Sequence, residues 1–381
     1  MKEYELAILL AKGEDSKTQF KENINNPRQL AEEFVAFSNS LGGKLILGVT
    51  DEGLVKGLNS VDIRRLNQMI SNVSSEHVKP PIHPLTEIHE FEEKKIIVIT
   101  IPYGNNKPYC TNDGKYITRS GADKRIISND EMQRLFQESG KMFADEMLIK
   151  NAKWEDIDQK FFENFYQKKY NEQLDLNIIP QIFENLNLAS ENRINLAGML
   201  LFGKNVTKYL PLSQLICVSF FGNDVTGTQY RDSENIEGNL ENLYKGGMAF
   251  IARSIRKVQN GKNFNTLGDP EIPMIVFEEL LINALIHRDF FINANIRILI
   301  FDNRIEIISP GKLPNNLTVE KIKKGVTIRR NQTLSSFAFD VLNFRGIGSG
   351  ILRALKAYPK IDFDNQQDID QFKAIIFRED Y

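Results

Sequence analysis

Nothing in this sequence approaches the run of about 18 apolar residues that a membrane-spanning helix needs. The longest apolar stretches, Leu45–Val49 and Ile96–Ile101, have strand length, so no membrane partner is expected. Cysteine is almost missing. Cys110 and Cys217 lie far apart, which excludes a dense disulfide framework. With neither a CxxC pair nor zinc-like histidine spacing, no structural metal is expected either. The opening MKEYELAILLAKGED carries acids through its short apolar run and has no small-residue cleavage site. It does not read as a signal peptide, and a cytoplasmic location is expected. An excess of one charge sign is also lacking: 48 Lys and Arg face 50 Asp and Glu, a net charge of −2. Any surface for a polyanion must therefore be local. Three clusters could form one: Lys12/Lys17/Lys21, Arg119/Lys124/Arg125, and Lys321/Lys323/Lys324/Arg329/Arg330. Each can equally be a solvated face.

What is present is globular: 41% apolar and 26% charged residues over 381 positions, too many for one ordinary core. The pattern predicts an α/β domain over residues 1–140, a charged helical linker over 141–195, and a second α/β domain over 196–381. In the first, a helix at 2–11 is followed by a strand near Thr18–Glu22. A helix over 27–40 opens with Asn26 as cap and Pro27 in the first turn. A buried strand follows Gly42-Gly43, and Ser128 with Glu131 reads as a capping box for a closing helix. In the second domain, strands near 212–221 and 296–308 flank helices at 236–259 and 271–286. A last helix over 351–358 and a strand over 371–378 end it. No repeat or low-complexity segment occurs.

Three N-terminal segments stand in order: Gly13-Glu14-Asp15-Ser16-Lys17-Thr18-Gln19-Phe20-Lys21-Glu22, Ala36-Phe37-Ser38-Asn39-Ser40-Leu41-Gly42-Gly43, and Leu47-Gly48-Val49-Thr50-Asp51-Glu52-Gly53. As a set, with Tyr116–Gly121 beyond, they resemble the Schlafen AlbA-like domain over residues 12–140. The resemblance implies binding of nucleic acid, DNA or RNA, with Lys17, Lys21, Arg119, Lys124 and Arg125 as the basic contacts. In some relatives it also implies metal-dependent RNA cleavage by three carboxylates. Glu14 and Asp51 match two of them, as catalytic and metal-binding positions. The third place holds Gln19, and an amide oxygen is a poorer ligand for a hard cation than a carboxylate. Glu22 or Glu33 could supply a substitute charge.

The strongest chemistry lies in Phe277-Glu278-Glu279-Leu280-Leu281-Ile282-Asn283-Ala284-Leu285-Ile286-His287-Arg288-Asp289. Glu279 and Asn283, four apart, share one helix face. A carboxylate can activate water for ATP hydrolysis while an amide oxygen helps hold Mg²⁺. His287 continues that face, either as a satisfied, partly buried histidine or beside the phosphates. A strand then ends at Ser309-Pro310-Gly311, and Gly346-Ile347-Gly348-Ser349-Gly350 opens the last helix. Glycine turns at helix starts suit phosphate binding. This order, with Asn195–Gly203 before it, resembles the gyrase/MutL/histidine-kinase ATPase fold in its helicase-related variant. The resemblance implies a GHKL-type α/β sandwich that binds ATP with Mg²⁺. Glu279 would be the base and Asn283 the metal ligand, with His287, Ser309, Gly311, Gly346, Gly348 and Gly350 around the nucleotide. Ser309 replaces the family's adenine-reading Asp, and Lys312–Arg345 would form a lid.

These readings combine into an ATP-binding, nucleic-acid-binding regulator, a homo-oligomer in which nucleotide controls the AlbA-like domain. Relatives carry a winged helix after the ATPase, and with Tyr381 as the last residue none is expected here. The alternatives are a Schlafen-type metal-dependent RNA endonuclease, conceivably in phage defence, and an inactive assembly scaffold.

Overall fold

The computed structural model describes residues 3–227, 229–259, 268–314, 317–342 and 349–379. They form two compact units, 1–142 and 143–381. Each is mixed α/β, in agreement with the fold class expected from the sequence.

In the first unit, helix α1 (Glu3–Lys12), strand β1 (Thr18–Lys21), helix α2 (Pro27–Asn39) and strand β2 (Gly43–Leu47) come in succession. Helix α3 (Ser60–Asn72) and the hairpin β3 (Leu85–Phe91) and β4 (Lys94–Ile101) follow. The sheet order is β1-β2-β4-β3, with β1 parallel to β2 and the other pairs antiparallel. Alternating side chains serve two cores, as the two-residue period of a strand requires. Leu45, Leu47, Ile97 and Ile99 pack against Leu30, Phe34 and Phe37 of α2. Phe20, Ile46, Ile96 and Val98 pack against Leu6 and Leu10 of α1. The expected caps form: Asn26 accepts from Arg28 N–H at 2.9 Å, and Ser128 and Glu131 make a reciprocal capping box.

Residues 143–195, read from the sequence as a linker, fold into the second unit. Their aromatic residues explain this. Phe162 and Phe165 of helix α4 (Gln159–Tyr170) and Phe183 surround Phe202 at the end of the buried helix α5 (Leu196–Phe202). Phe162 lies 4.6 Å from Phe183 and 4.9 Å from Phe202, ring to ring. Each such buried ring contributes about 3–5 kcal/mol when judged by truncation to Ala.

The second sheet contains β5 (Leu215–Phe220), β6 (Tyr230–Ile236), β7 (Ile296–Ile300), β8 (Arg304–Pro310), β9 (Ile361–Gln366) and β10 (Gln371–Phe377). Its order is β6-β5-β7-β8-β10-β9, and only β5 and β7 run parallel. Ile296, Ile298, Ile300, Ile305 and Ile307 face a core shared with helices α6 (Leu240–Ser254) and α7 (Met274–His287). The odd members of β8 thus hold the sheet to α7, and this places Ser309 beside that helix.

Later helices of the unit are α8 (Val319–Lys323), α9 (Gln332–Val341) and α10 (Gly350–Ala357). The start of α9 is capped from far away in the chain. Asp145, fully buried, accepts the Leu334 N–H at 2.7 Å, and Thr333 Oγ donates to Glu146 at 3.4 Å. Burial pushes the Asp145 carboxyl up to about 6, against the lowering pull of that N–H.

Candidate nucleotide cleft and carboxylate sites

One cleft in the second unit gathers most of the residues singled out in its sequence. Glu279, Asn283, His287, Ser309, Gly311 and Gly350 all line it, and it encloses about 1250 Å³ with its open mouth included. Gly346 and Gly348 lie outside the described residues. The helical spacing of four puts Glu279, Asn283 and His287 on successive turns of one face of α7. Opposite stand apolar side chains such as Leu317, Ile322, Phe339 and Phe363, suited to the flat faces of a base.

Each polar group in the cleft has a defined state. Glu279 is fully buried, and its Oε1 accepts from both Nε and Nη2 of Arg353 at 2.5 Å. Its Oε2 has no hydrogen-bond partner among the described residues. Burial raises the Glu279 carboxyl above its ordinary range, and the Arg353 charge pulls partly the other way. Asn283 donates its amide N–H to the Glu279 carbonyl at 2.7 Å. Its oxygen, the atom a hard cation can use, is left over. Ser309 Oγ donates to the Ala284 carbonyl at 3.1 Å. With its proton committed, the hydroxyl offers only lone pairs to a further partner. Among the described residues His287 Nδ1 is buried without a hydrogen-bond partner. Burial, with the Arg330 and Arg329 charges adding to it, pushes the imidazole down to about 4. At neutral pH the His287 imidazole is therefore uncharged in the empty cleft.

Two glycines are demanded by geometry. Gly311 has φ +99°, and a Cβ there would run into the Arg330 guanidinium and come within 2.6 Å of Asp289 Cβ. At Gly350 a Cβ would collide with Glu279 Oε2. Only glycine lets α10 approach α7 so closely.

Sequence reasoning missed Arg353 and Asn331 here and named Arg330 only within a basic cluster. Arg353 holds Glu279. Arg330 donates to the Lys312 carbonyl at 2.6 Å and pairs with Asp289 at 3.8 Å. Asn331, fully buried, ties α9 to the end of α7 by donating to the Ile286 and Arg288 carbonyls at 2.8 and 2.9 Å. For Arg353 a signal existed: it stands four residues after Ser349, one helical turn into α10, and donates to that Ser Oγ at 2.6 Å.

The first unit treats its carboxylates differently. Glu14 Oε1 accepts from Gln19 Nε2 at 2.5 Å and from Phe20 N–H at 2.8 Å. Asp51 pairs with the Lys21 ammonium at 3.1 Å. Glu33 faces Lys124 at 3.0 Å and Arg119 at 3.7 Å, so it supplies no substitute charge to Glu14. Among the described residues, no group of three or more His, Cys, Asp or Glu could hold a metal. The donor set therefore does not fit the divalent ions of a Schlafen-type nuclease. An amide N–H and an ammonium stand against the two carboxylates that would have to bind them.

The basic residues also sort themselves. Arg119 is corrected from a nucleic-acid contact to a core residue: its side chain is 1% exposed, lies over Phe37, and donates to the Asp15 and Ala122 carbonyls. Lys124 is engaged by Glu32 and Glu33, Lys21 by Asp51, and Arg125 by both oxygens of Glu131. Lys17 stays exposed, its backbone N–H donating to Asp15 and its carbonyl accepting from the Lys44 N–H.

Comparison with known proteins agrees with this division. Residues 14–128 match the family described as "Schlafen, AlbA_2". Residues 293–376 match the family described as "Putative ATP-dependent DNA helicase recG C-terminal". The second match begins after α7, so Glu279, Asn283 and His287 rest on the geometry above. Among solved structures, the DIP2311 protein from Corynebacterium diphtheriae is similar at 19% identity and a TM-score of 0.47, over 98% of this chain and 80% of that one. The N-terminal domain of a RecG-related protein from Nitrosomonas europaea is similar at 18% identity and a TM-score of 0.23, over 34% of this chain and 96% of that one. No curated protein matches the chain. No helix among the described residues is long and apolar enough to cross a membrane.

Proposed function

We propose that this chain, which joins a Schlafen/AlbA_2 domain to a domain of the helicase recG C-terminal family, is an ATP-binding protein that associates with nucleic acid, nucleotide in the second domain setting the state of the first. The observation that carries the reading is the cleft itself. A buried carboxylate oxygen, an imidazole nitrogen and a serine with only lone pairs to offer meet there beside apolar walls. Unpartnered buried polar atoms are costly, and a ligand that pairs them recovers that cost.

The residues fit ATP in a definite way. Ser309 Oγ can only accept, which suits the exocyclic amino group of adenine and disfavours the keto oxygen of guanine. Asn283 Oδ1 is the oxygen available to Mg²⁺. Bound Mg·ATP would supply a terminal phosphate open to attack by water. Glu279, whose proton affinity burial raises, is the group to take the proton from that water. In the first domain Lys17 is the cation best placed for a phosphate, which gives weak, salt-sensitive binding rather than cleavage.

The test is a titration of the intact chain with Mg·ATP and with RNA or DNA, each in the absence and presence of the other. ATP raises the melting temperature, because a ligand of the folded state stabilises it by mass action. If the two sites are coupled, each ligand tightens or loosens the other by the same factor. An unchanged melting temperature at millimolar ATP would sink the reading.

A further inference from the structure

Arg353 occupies an unusual position. Its Nε and Nη2 both point at a single oxygen of Glu279, at 2.5 Å, and its Nη1 goes to Ser349 Oγ at 2.6 Å. The usual arginine–carboxylate pair is a fork across two oxygens. Here the second oxygen, Glu279 Oε2, is left buried with no hydrogen-bond partner among the described residues and lies against Gly350. The two partners also differ in exposure: the Glu279 side chain is 1% exposed and that of Arg353 36%. Both line the cleft. The guanidinium therefore stands between a sealed carboxylate and the space a ligand would enter.

We infer that Arg353 is a polyphosphate-responsive gate on Glu279, holding the carboxylate when the cleft carries no phosphate and exchanging it for the phosphates of a nucleotide. The inference rests on the nucleotide reading above and adds its regulation. A carboxylate neutralised by arginine is a poor base, so the resting site does not activate water. A triphosphate brings more charge and more acceptor oxygens than Glu279 Oε1, and arginine pairs with phosphate as readily as with carboxylate. Once Arg353 leaves, Glu279 is a buried, unpaired carboxylate, which favours taking up a proton. Nucleosides cannot make the exchange, so the device distinguishes ATP from adenosine at the residue that would perform the chemistry.

The experiment uses the intact chain and calorimetric titration with ATP, ADP and adenosine. Arg353→Gln is expected to weaken ATP binding by about tenfold or more, the scale of one lost charge-assisted contact. Adenosine binding stays within twofold of the parent, and Arg353→Lys recovers part of the ATP affinity. A second readout is independent of turnover. A thermal-unfolding cycle of Glu279→Gln, Arg353→Gln and the double variant shows coupling without ligand, and the coupling disappears at saturating non-hydrolysable ATP analogue. Equal ATP affinity in parent and Arg353→Gln, with the coupling kept at saturation, would overturn the inference and leave Arg353 as a structural partner only. A parent that binds no ATP, yet shows the ligand-free coupling, overturns the nucleotide reading and the gate with it, leaving the ion pair. Should Arg353→Gln not fold, Arg353→Lys carries the same comparison, because it keeps the charge and loses the fork.

Discussion

Both units hold carboxylates that the sequence motifs single out, and the two sets have different surroundings. Glu14 is answered by Gln19 and the Phe20 N–H, and Asp51 by Lys21. Glu279 is answered on one oxygen only, and His287 nearby has a ring nitrogen with no partner. Each of these carboxylates is engaged by the chain on one oxygen, so the difference lies in burial. Asp51, with a side chain 69% exposed, keeps water for its second oxygen, whereas Glu279 Oε2 is sealed in a side chain 1% exposed and keeps capacity for a ligand. Residue 19 makes the point. A carboxylate there would put two like charges together and call for a metal, while the amide supplies a hydrogen and closes the circle.

The largest effect is expected at the incompletely answered site. Glu279→Gln retains ATP binding within a few fold and lowers hydrolysis about 10²-fold or more, the scale of a lost general base, as read by phosphate release. Hydrolysis at the parent rate would remove Glu279 from the chemistry. Next, Gly311→Val forces a side chain into the left-handed region and into Arg330 and Asp289. We expect a loss of about 2–3 kcal/mol in urea unfolding, and no ATP-dependent rise in melting temperature. A fully stable variant would show that the turn yields.

A pH measurement sharpens the contrast further. His287 is held near 4 in the folded protein against about 6.5 for the free side chain, so the unfolded chain binds more protons between those values. The stability this residue contributes is present above about pH 6.5 and disappears as the pH falls through the folded value. Asp145, raised by burial to about 6, acts with the opposite sign over much of the same range. Comparing the parent with His287→Gln therefore isolates the histidine: the variant loses less stability between pH 6.5 and 4.5, by about 1–2 kcal/mol. Parallel curves would mean that His287 is charged in the fold.

The smallest effect belongs to the closed site. Gln19→Glu replaces the amide donor beside Glu14, and the variant gains weak Mn²⁺ binding, about tenfold above the parent, in electron paramagnetic titrations. Equal, strong binding by both proteins would break the comparison at its root.

The sequence made some of this visible and hid the rest for a physical reason. Periodicity placed Glu279, Asn283 and His287 on one face of one helix, and glycine chemistry marked Gly311 and Gly350, because these are local properties of the chain. Arg119 and Arg330 stood in basic clusters open to a polyanion, and nothing local marked Asn331. Whether a charged side chain is buried depends on who comes to meet it: Glu33 and Phe37 for Arg119, Asp289 for Arg330, and the end of α7 for Asn331. Those partners are remote in sequence and become neighbours only in the tertiary fold. Residues 141–195 were misread in the same manner. Their charge suggested a linker, and their phenylalanines, spaced across two helices, became a core only once Phe202 was beside them.

The cap on α9 has a mechanical consequence. Asp145 follows within three residues of the point where the chain passes from one unit to the next, and it grips the Leu334 N–H in the first turn of α9. Three residues earlier, at the start of α9, Asn331 grips the end of α7. Helix α9, which carries Ser335 and Phe339 of the cleft wall, is thus tethered at its start to two segments far away in the chain, and neither tether can loosen without freeing that wall.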